Sequence, residues 1–487
     1  VLPAPKVHES ASAISIDPEN EGVAFGGLKG LRQASRASRD ALKLGSGGIR
    51  DGTLIPGGVE TLTLSEGRQK SSRLLPPRAC PPDRENSGGA MTAMIIILSF
   101  VLWGALALLA HTYVIYPVMM RLLARGRGLP DDRFERDEEM PEVAVLVAVY
   151  NEEKVLEEVI ASILASDYPH GKMRLFIGSD GSTDRSEAIV KRFAKVDSRV
   201  RLVGFGGRNG KTRIINRLAE GATSEFADPD KAIFLLGDAN VIWSPPMLRR
   251  IASHFKRGQV GLVGAAVSDR VREHDGIGDQ ENAVNYAEGV LWGLVMGAFG
   301  ACYALRARLF TPVPPHHVVD DSYLTLACLE QGSDVIVDLE AVCHVAVAND
   351  LREEFRRKRR IAAGNFRNLA RFWSYLQPRK SDLATTFAFW SHKGLRCYGP
   401  HLLVVALLSG VALSVVHPIH LLPLGGFATV LAMAGLDLLF ARKSGRSVKL
   451  FRRARYFLST NLAIGAGFLD YLRGPRTSRW EPTRRET

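Results

Sequence analysis

Apolar residues fall into two kinds of pattern along this chain. From Met94 to about Leu123 the residues are almost uncharged (Ile95, Ile96, Ile97, Leu98, Val101, Leu102, Trp103, then Leu106 to Leu109), a run long enough for a helix to cross about 30 Å of hydrocarbon. Between 141 and 375 short apolar runs alternate with stretches of helical period instead. The runs predict strands at Val143–Val149, Arg174–Ser179, Arg201–Phe205 and Ala232–Leu236, and the periodic stretches predict helices at Glu152–Ala165, Arg185–Ala194, Lys211–Ala219 and Pro246–Phe255. That rhythm predicts an α/β domain, a parallel sheet with helices on both faces. Long apolar blocks return at His401–Val416 and Leu421–Phe440, parted by His417-Pro418-Ile419-His420, which fits a membrane hairpin. A last apolar stretch, Tyr456–Leu472, carries Asp470 and reads as a re-entrant or interfacial helix.

The expected organisation follows. Residues 1–90 are rich in Gly, Ser, Pro and charge, lack a sustained apolar period, and read as a disordered or mis-extended tail ahead of Met91. Residues 91–124 form a transmembrane helix, 140–375 the soluble domain, 376–398 an interfacial segment and 399–441 a transmembrane hairpin. A basic loop, the re-entrant or interfacial helix and a tail make up 442–487.

Lys and Arg number 63 against 51 Asp and Glu, a net charge of +12. The surplus clusters beside the apolar runs: Arg121, Arg125 and Arg127 after the first, Arg442, Lys443, Arg446, Lys449, Arg452, Arg453 and Arg455 after the hairpin, then Arg473, Arg476, Arg479, Arg484 and Arg485. Such placement sets membrane orientation and argues against a nucleic-acid binder. It predicts a multi-pass protein of the cell inner membrane with the soluble domain in the cytosol. Five scattered cysteines show no metal-ligand spacing and read as reduced.

Four clusters in the soluble part carry chemistry, each at the end of a predicted strand or the start of a helix. The first pairs Ala148-Val149-Tyr150-Asn151-Glu152 with Gly178-Ser179-Asp180-Gly181-Ser182-Thr183-Asp184; adjacent strand ends of this kind make a slot for a flat ring, or only a turn with a helix cap. The second, Gly206-Gly207-Arg208-Asn209-Gly210-Lys211, opens a helix whose N-terminus favours an anion, though a plain loop fits it too. The third, Leu235-Leu236-Gly237-Asp238-Ala239-Asn240, ends a buried strand in oxygen donors suited to a hard divalent cation shared with substrate phosphates. The fourth joins Asp320-Asp321 to the basic run Arg356-Arg357-Lys358-Arg359-Arg360. Adjacent carboxylates repel, which raises one pKa toward that of a useful base, while the arginines suit a diphosphate or a solvated helix face.

In order and spacing these motifs resemble the family-2 glycosyltransferases, in particular the membrane-embedded branch that includes cellulose, hyaluronan and poly-N-acetylglucosamine synthases. The resemblance covers about residues 94–485. It implies a GT-A-type nucleotide-sugar-binding domain with transmembrane helices, and inverting transfer from a nucleotide-sugar, most simply a UDP-sugar, to a glycan or lipid acceptor at the membrane. It further implies nucleotide-sugar contacts from Ala148, Tyr150, Asn151, Glu152, Asp180, Lys211, Asp238 and Arg360, a Mg²⁺ or Mn²⁺ at Asp238 and Asn240, and Asp321 as catalytic base. Asp320, Gly300 and Cys302 fall on the acceptor side. Two departures stand out: Asn240 replaces a carboxylate of the metal motif, and Arg357 and Ile361 replace the Gln and Trp of the Gln-x-x-Arg-Trp motif, where only Arg360 is retained. The resemblance implies a role in cell-envelope polysaccharide or exopolysaccharide synthesis; the departures put long-polymer synthesis in question and make a transferase that adds one sugar to a lipid the alternative. A catalytically inert membrane scaffold is the reading against which the retained Asp180, Asp238 and Asp321 argue.

Overall fold

A computed structural model describes residues 85–269, 277–297, 300–345, 351–444 and 448–474. The expectations for the tail before Glu85 and for Arg476, Arg479, Arg484 and Arg485 lie outside these residues. The chain begins with α1 (Glu85–Ala110), a π-turn at His111–Ile115 and α2 (Tyr116–Leu123). Next come β1 (Val143–Val149), α3 (Leu156–Leu164), β2 (Met173–Ser179), α4 (Ser186–Val196), β3 (Val200–Gly204), α5 (Lys211–Thr223), β4 (Ile233–Asp238), β5 (Val241–Trp243) and α6 (Met247–Ser253). The domain continues through β6 (Val260–Asp269), α7 (Ile277–Trp292), β7 (Cys302–Arg306), α8 (Asp320–Glu330), β8 (Asp334–Val345) and α9 (Leu351–Phe372). Beyond it lie α10 (Leu383–Ala388), a π-helical stretch at Phe389–Gly394, α11 (Leu395–Cys397), α12 (Gly399–Ser414), α13 (Leu421–Ser444) and α14 (Lys449–Leu472).

Eight strands form one sheet in the order β3-β2-β1-β4-β7-β6-β8-β5. β1 pairs in parallel with β2 and β4, and β2 with β3, as the strand-helix rhythm predicts. The sheet as a whole is mixed: β7 runs antiparallel to β4 and β6, and β5 antiparallel to β8. β1 is buried along its length because helices cover both faces, the reason its sequence is continuously apolar. Alternation still sorts its side chains, since Ala144, Leu146 and Ala148 join the core under α5, α8 and α9 while Val143, Val145, Val147 and Val149 join the core under α3 and α6.

Among the described residues two helices are long and apolar enough to cross a membrane, Gly89–Leu123 and Pro418–Phe440; a third span results if Leu383–Cys397 and Gly399–Ser414, bent by 65°, act as one. The first helix starts at Glu85, ahead of Met91. α14 is one continuous helix fastened to its neighbours by polar bonds: Arg359 of α9 grips Asp470 with Nε and Nη2 at 2.6 and 2.7 Å, and Arg455 pairs with the buried Asp437 of α13 at 3.0 Å. Gly467 permits this docking, because a β-carbon there would press on the Arg359 carbonyl at 2.6 Å.

Candidate active site

Parallel pairing puts the carboxyl ends of β1, β2 and β4 along one edge, where open α/β sheets hold ligands. The antiparallel β7 starts at that same edge, and the Asp238 N–H donates to the Ala301 carbonyl at 3.1 Å. Ala148, Asp180, Asp238 and Gly300 are thereby gathered from four separate stretches of chain. Ala148 lies in register with Gly178 and Asp238, and a β-carbon at Gly178 would collide with Ile214.

On the β1–β2 side the loops are tied to each other. Asn151 adopts φ 52°, and its Oδ1 accepts the Thr183 N–H at 2.8 Å while its own N–H donates to Ser182 Oγ at 3.2 Å. Its amide thus fastens two strand-end loops, and a ligand contact would compete with that bond. The Glu152 N–H donates to Ser186 Oγ at 3.0 Å. Gly181, at φ 68°, lies so close to Gly207 that a β-carbon would meet its carbonyl oxygen at 2.9 Å.

Asp180 is wholly buried and fully engaged. Its carboxylate accepts the backbone N–H groups of Asn209 at 2.5 Å and Gly210 at 3.1 Å, and pairs with Arg208 Nε at 3.2 Å. The glycine-rich loop is therefore an anion cradle whose anion is the protein's own Asp180. Arg208 also stacks on Tyr150, its guanidinium carbon 3.4 Å from the ring centroid. The slot expected between Tyr150 and Asp180 holds this guanidinium, so a nucleobase would enter it only by displacing Arg208.

Across the edge, acids converge on Lys211, the first residue of α5. Its ammonium pairs with Asp238 at 2.8 Å and Asp320 at 3.2 Å. Burial pushes the Lys211 pKa down, but Asp238 and then Asp320 outweigh it and hold it above the usual lysine range. Asp320 also accepts the Tyr303 hydroxyl at 3.3 Å and is only 4% exposed. Its carboxylate is engaged by Lys211 and Tyr303. Burial, then the charge of Asp320, pushes the Asp321 carboxyl up to about 7, with the Ser322 N–H and Lys211 pulling the other way. Gly300 lies directly against Asp321: a β-carbon there would meet Oδ2 at 2.5 Å. Cys302, also expected on the acceptor side, is fully buried in β7 against Met247, where burial lifts its thiol well above the ordinary range.

Of the basic run, Arg356 and Arg357 are exposed, Lys358 binds Thr460 Oγ1 at 2.8 Å and lies 3.4 Å over the Tyr456 ring, and Arg359 holds Asp470. Only Arg360 is close enough to Asp238, Asp320 and Asp321 to feel their charge. α9 also braces the approach to the acids, for Asn368 donates to the Val319 carbonyl at 3.0 Å and Gly364 abuts Val318 and Val319. The donor set fits a hard divalent cation: Asp238 is 43% exposed in its side chain and Asn240 half-buried in the turn after β4, leaving room for substrate oxygens. Among the described residues no group of three or more His, Cys, Asp or Glu side chains could by itself hold a metal ion.

Sequence patterns alone did not single out the roles of Tyr303 and Arg208, or the half-buried Glu281 and the buried Glu288 and His392 near the membrane helices. For the last group a signal existed: Glu281, Asn285 and Glu288 recur at helical spacing through an otherwise apolar stretch.

Two family models match the chain, glycosyl transferase family 2 over residues 144–300 and glycosyl transferase family group 2 over 233–441. A beta-monoglucosyldiacylglycerol synthase of Nostoc sp. is 27% identical over 174 residues, 34% of each chain. The chain thus spans about a third of that relative's length. An N-acetylglucosaminyltransferase of Mesorhizobium japonicum is 26% identical over 306 residues, 56% of this chain and 66% of that one. In fold, the chain resembles a mannosyltransferase from Pyrobaculum calidifontis solved with GDP-Man and Mn²⁺, at a TM-score of 0.57 and 21% identity, covering 78% of this chain and 98% of that one.

Proposed function

We propose that this chain, which carries glycosyltransferase family 2 domains over residues 144–441 on a GT-A-like fold, is an inverting transferase that moves a sugar from a nucleotide-sugar, most simply a UDP-sugar, to a hydroxyl acceptor at the cytosolic face of the inner membrane. The observation that carries the reading is the meeting of Asp238, Asp320 and Asp321 around Lys211 at the ligand-binding edge of the sheet.

In this mechanism the nucleobase takes the Arg208 position on Tyr150, and Lys211 and Arg360 face the diphosphate. Asp238 and the Asn240 amide oxygen would hold a Mg²⁺ or Mn²⁺, which when bound would supply positive charge to neutralise the diphosphate. Asp321 takes the proton of the acceptor hydroxyl. The hydroxyl oxygen attacks the anomeric carbon opposite the diphosphate, and the anomeric C–O bond breaks with its electron pair leaving on the diphosphate, so configuration inverts. A carboxyl lifted to about 7 by its surroundings is a stronger base than an ordinary aspartate and is still partly ionised at neutral pH.

Similarity to a beta-monoglucosyldiacylglycerol synthase, with Arg357 and Ile361 in place of Gln and Trp, favours one sugar added to a lipid over a growing glycan. The test uses purified full chain in detergent with a panel of UDP- and GDP-sugars, reading nucleotide release and product size. Release from none of the donors rejects the transferase reading; a ladder of products rejects single transfer.

A further inference from the structure

α7 carries a row of polar side chains that the mechanism above does not use. Glu288 is fully buried, and its Oε1 accepts the Tyr116 hydroxyl at 2.7 Å and meets His392 Nδ1 at 2.9 Å. One helical turn before it, Asn285 is 1% exposed, and neither end of its amide has a partner. The Asn282 Oδ1 and the second Glu288 oxygen, Oε2, are also buried without partners. Glu281, at the start of the row, is neutralised by Lys393 and Arg396, each at 2.5 Å. Buried polar atoms are satisfied in native proteins in the great majority of cases, so four orphaned atoms within two turns of one helix mark a place where a ligand completes the bonding.

We propose that this row seats the hydroxyl-bearing, uncharged head of a lipid acceptor, an inference that rests on the transferase reading. Amide and carboxylate together offer the donors and acceptors that hydroxyl groups complement. With Glu281 neutralised, Glu288 leaves the row no positive charge to spare for a phosphate head. The route is lipidic because one wall, Tyr116, belongs to the apolar helix Gly89–Leu123. At the start of the row, Lys393 lies near Gly297, where a β-carbon would sit 3.8 Å from its side chain.

The test uses the full chain in a detergent without a sugar head, with dioctanoylglycerol as lipid probe and chitotetraose as soluble glycan probe. Thermal unfolding shifts report binding without turnover. Wild type is expected to bind dioctanoylglycerol, and Asn285→Leu, which replaces the orphaned amide by an apolar group of similar size, is expected to unfold no earlier when unliganded yet bind the lipid at least tenfold more weakly. Failure of the wild type to bind it, undiminished binding by Asn285→Leu, early unfolding of that variant, or a shift with chitotetraose alone overturns the proposal. Lipid binding that Asn285→Leu weakens, without nucleotide release from any donor, upholds this seat and rejects the transferase reading.

Discussion

The two sides of the site differ in how their polar groups are satisfied. Around Tyr150 and Asp180 each loop binds another: Asn151 clasps Thr183, and Asp180 takes the N–H groups of Asn209 and Gly210 and the guanidinium of Arg208. Along α7 the buried amide of Asn285 and one oxygen of Glu288 are bonded to nothing. At Lys211 two carboxylates share one ammonium. A self-satisfied region can be rigid before any ligand arrives, whereas an unsatisfied one is stabilised only by what it binds. The loops around Tyr150 and Asp180 are thus preorganised with Arg208 in their slot, and the α7 row is open in its bonding.

Substitutions along this divide should have graded effects. Asp321→Asn breaks it most severely: loss of a positioned base is typically worth about 10² to 10⁴ in rate, while nucleotide binding persists. Retention of more than a tenth of wild-type turnover would rule out Asp321 as base. Because the folded carboxyl keeps its proton to about 7 and the unfolded one releases it lower, stability is lost as pH rises from the ordinary aspartate range through about 7, and the full cost is present above it. The Asp321→Asn variant should accordingly be no less stable than wild type at pH 8, by thermal unfolding.

Lys211→Met comes next. It leaves Asp238 and Asp320 facing each other, and since the Asp238 side chain is 43% exposed water screens much of the repulsion; a stability loss of about 1–2 kcal/mol is expected, with turnover falling further. A denaturant midpoint that did not move would show that the ammonium contributes nothing to folding. The pH profile sharpens the contrast more gently. Turnover should rise with pH through about 7 as Asp321 ionises, and a flat profile from pH 6 to 8 would assign the proton transfer elsewhere. The smallest effect is expected from Arg208→Ala, which empties the Tyr150 slot. A cation–π contact of about 0.5–2 kcal/mol no longer has to be broken, so the KM for donor should drop severalfold; a rise would mean that Arg208 itself grips the nucleotide.

Much of the donor half was legible in the sequence. β1, β2, β3 and β4 stand where short apolar runs place them, because a parallel strand buried on both faces is apolar throughout. The second half of the sheet was not legible: nothing local reveals that Cys302–Arg306 runs back between β4 and β6. That reversal explains why Gly300 reaches Asp321 while Cys302, one strand pairing further in, is core. The carboxylates of Asp180 and Asp320 were found by position, but their roles depend on partners distant in sequence, the Arg208 loop and Tyr303. The basic run read as one feature, yet the helix turns its members in separate directions.

The Arg359–Asp470 clamp has a practical corollary for anyone trimming this chain. α9 supports Val319 through Asn368 and carries Arg360, so a strut made of the last helical turns braces the segment that leads into Asp320 and Asp321. Shortening the protein before Asp470 would slacken that brace without touching any residue near the substrate. The minimal active fragment should therefore extend well past the boundary that sheet and catalytic acids alone would suggest.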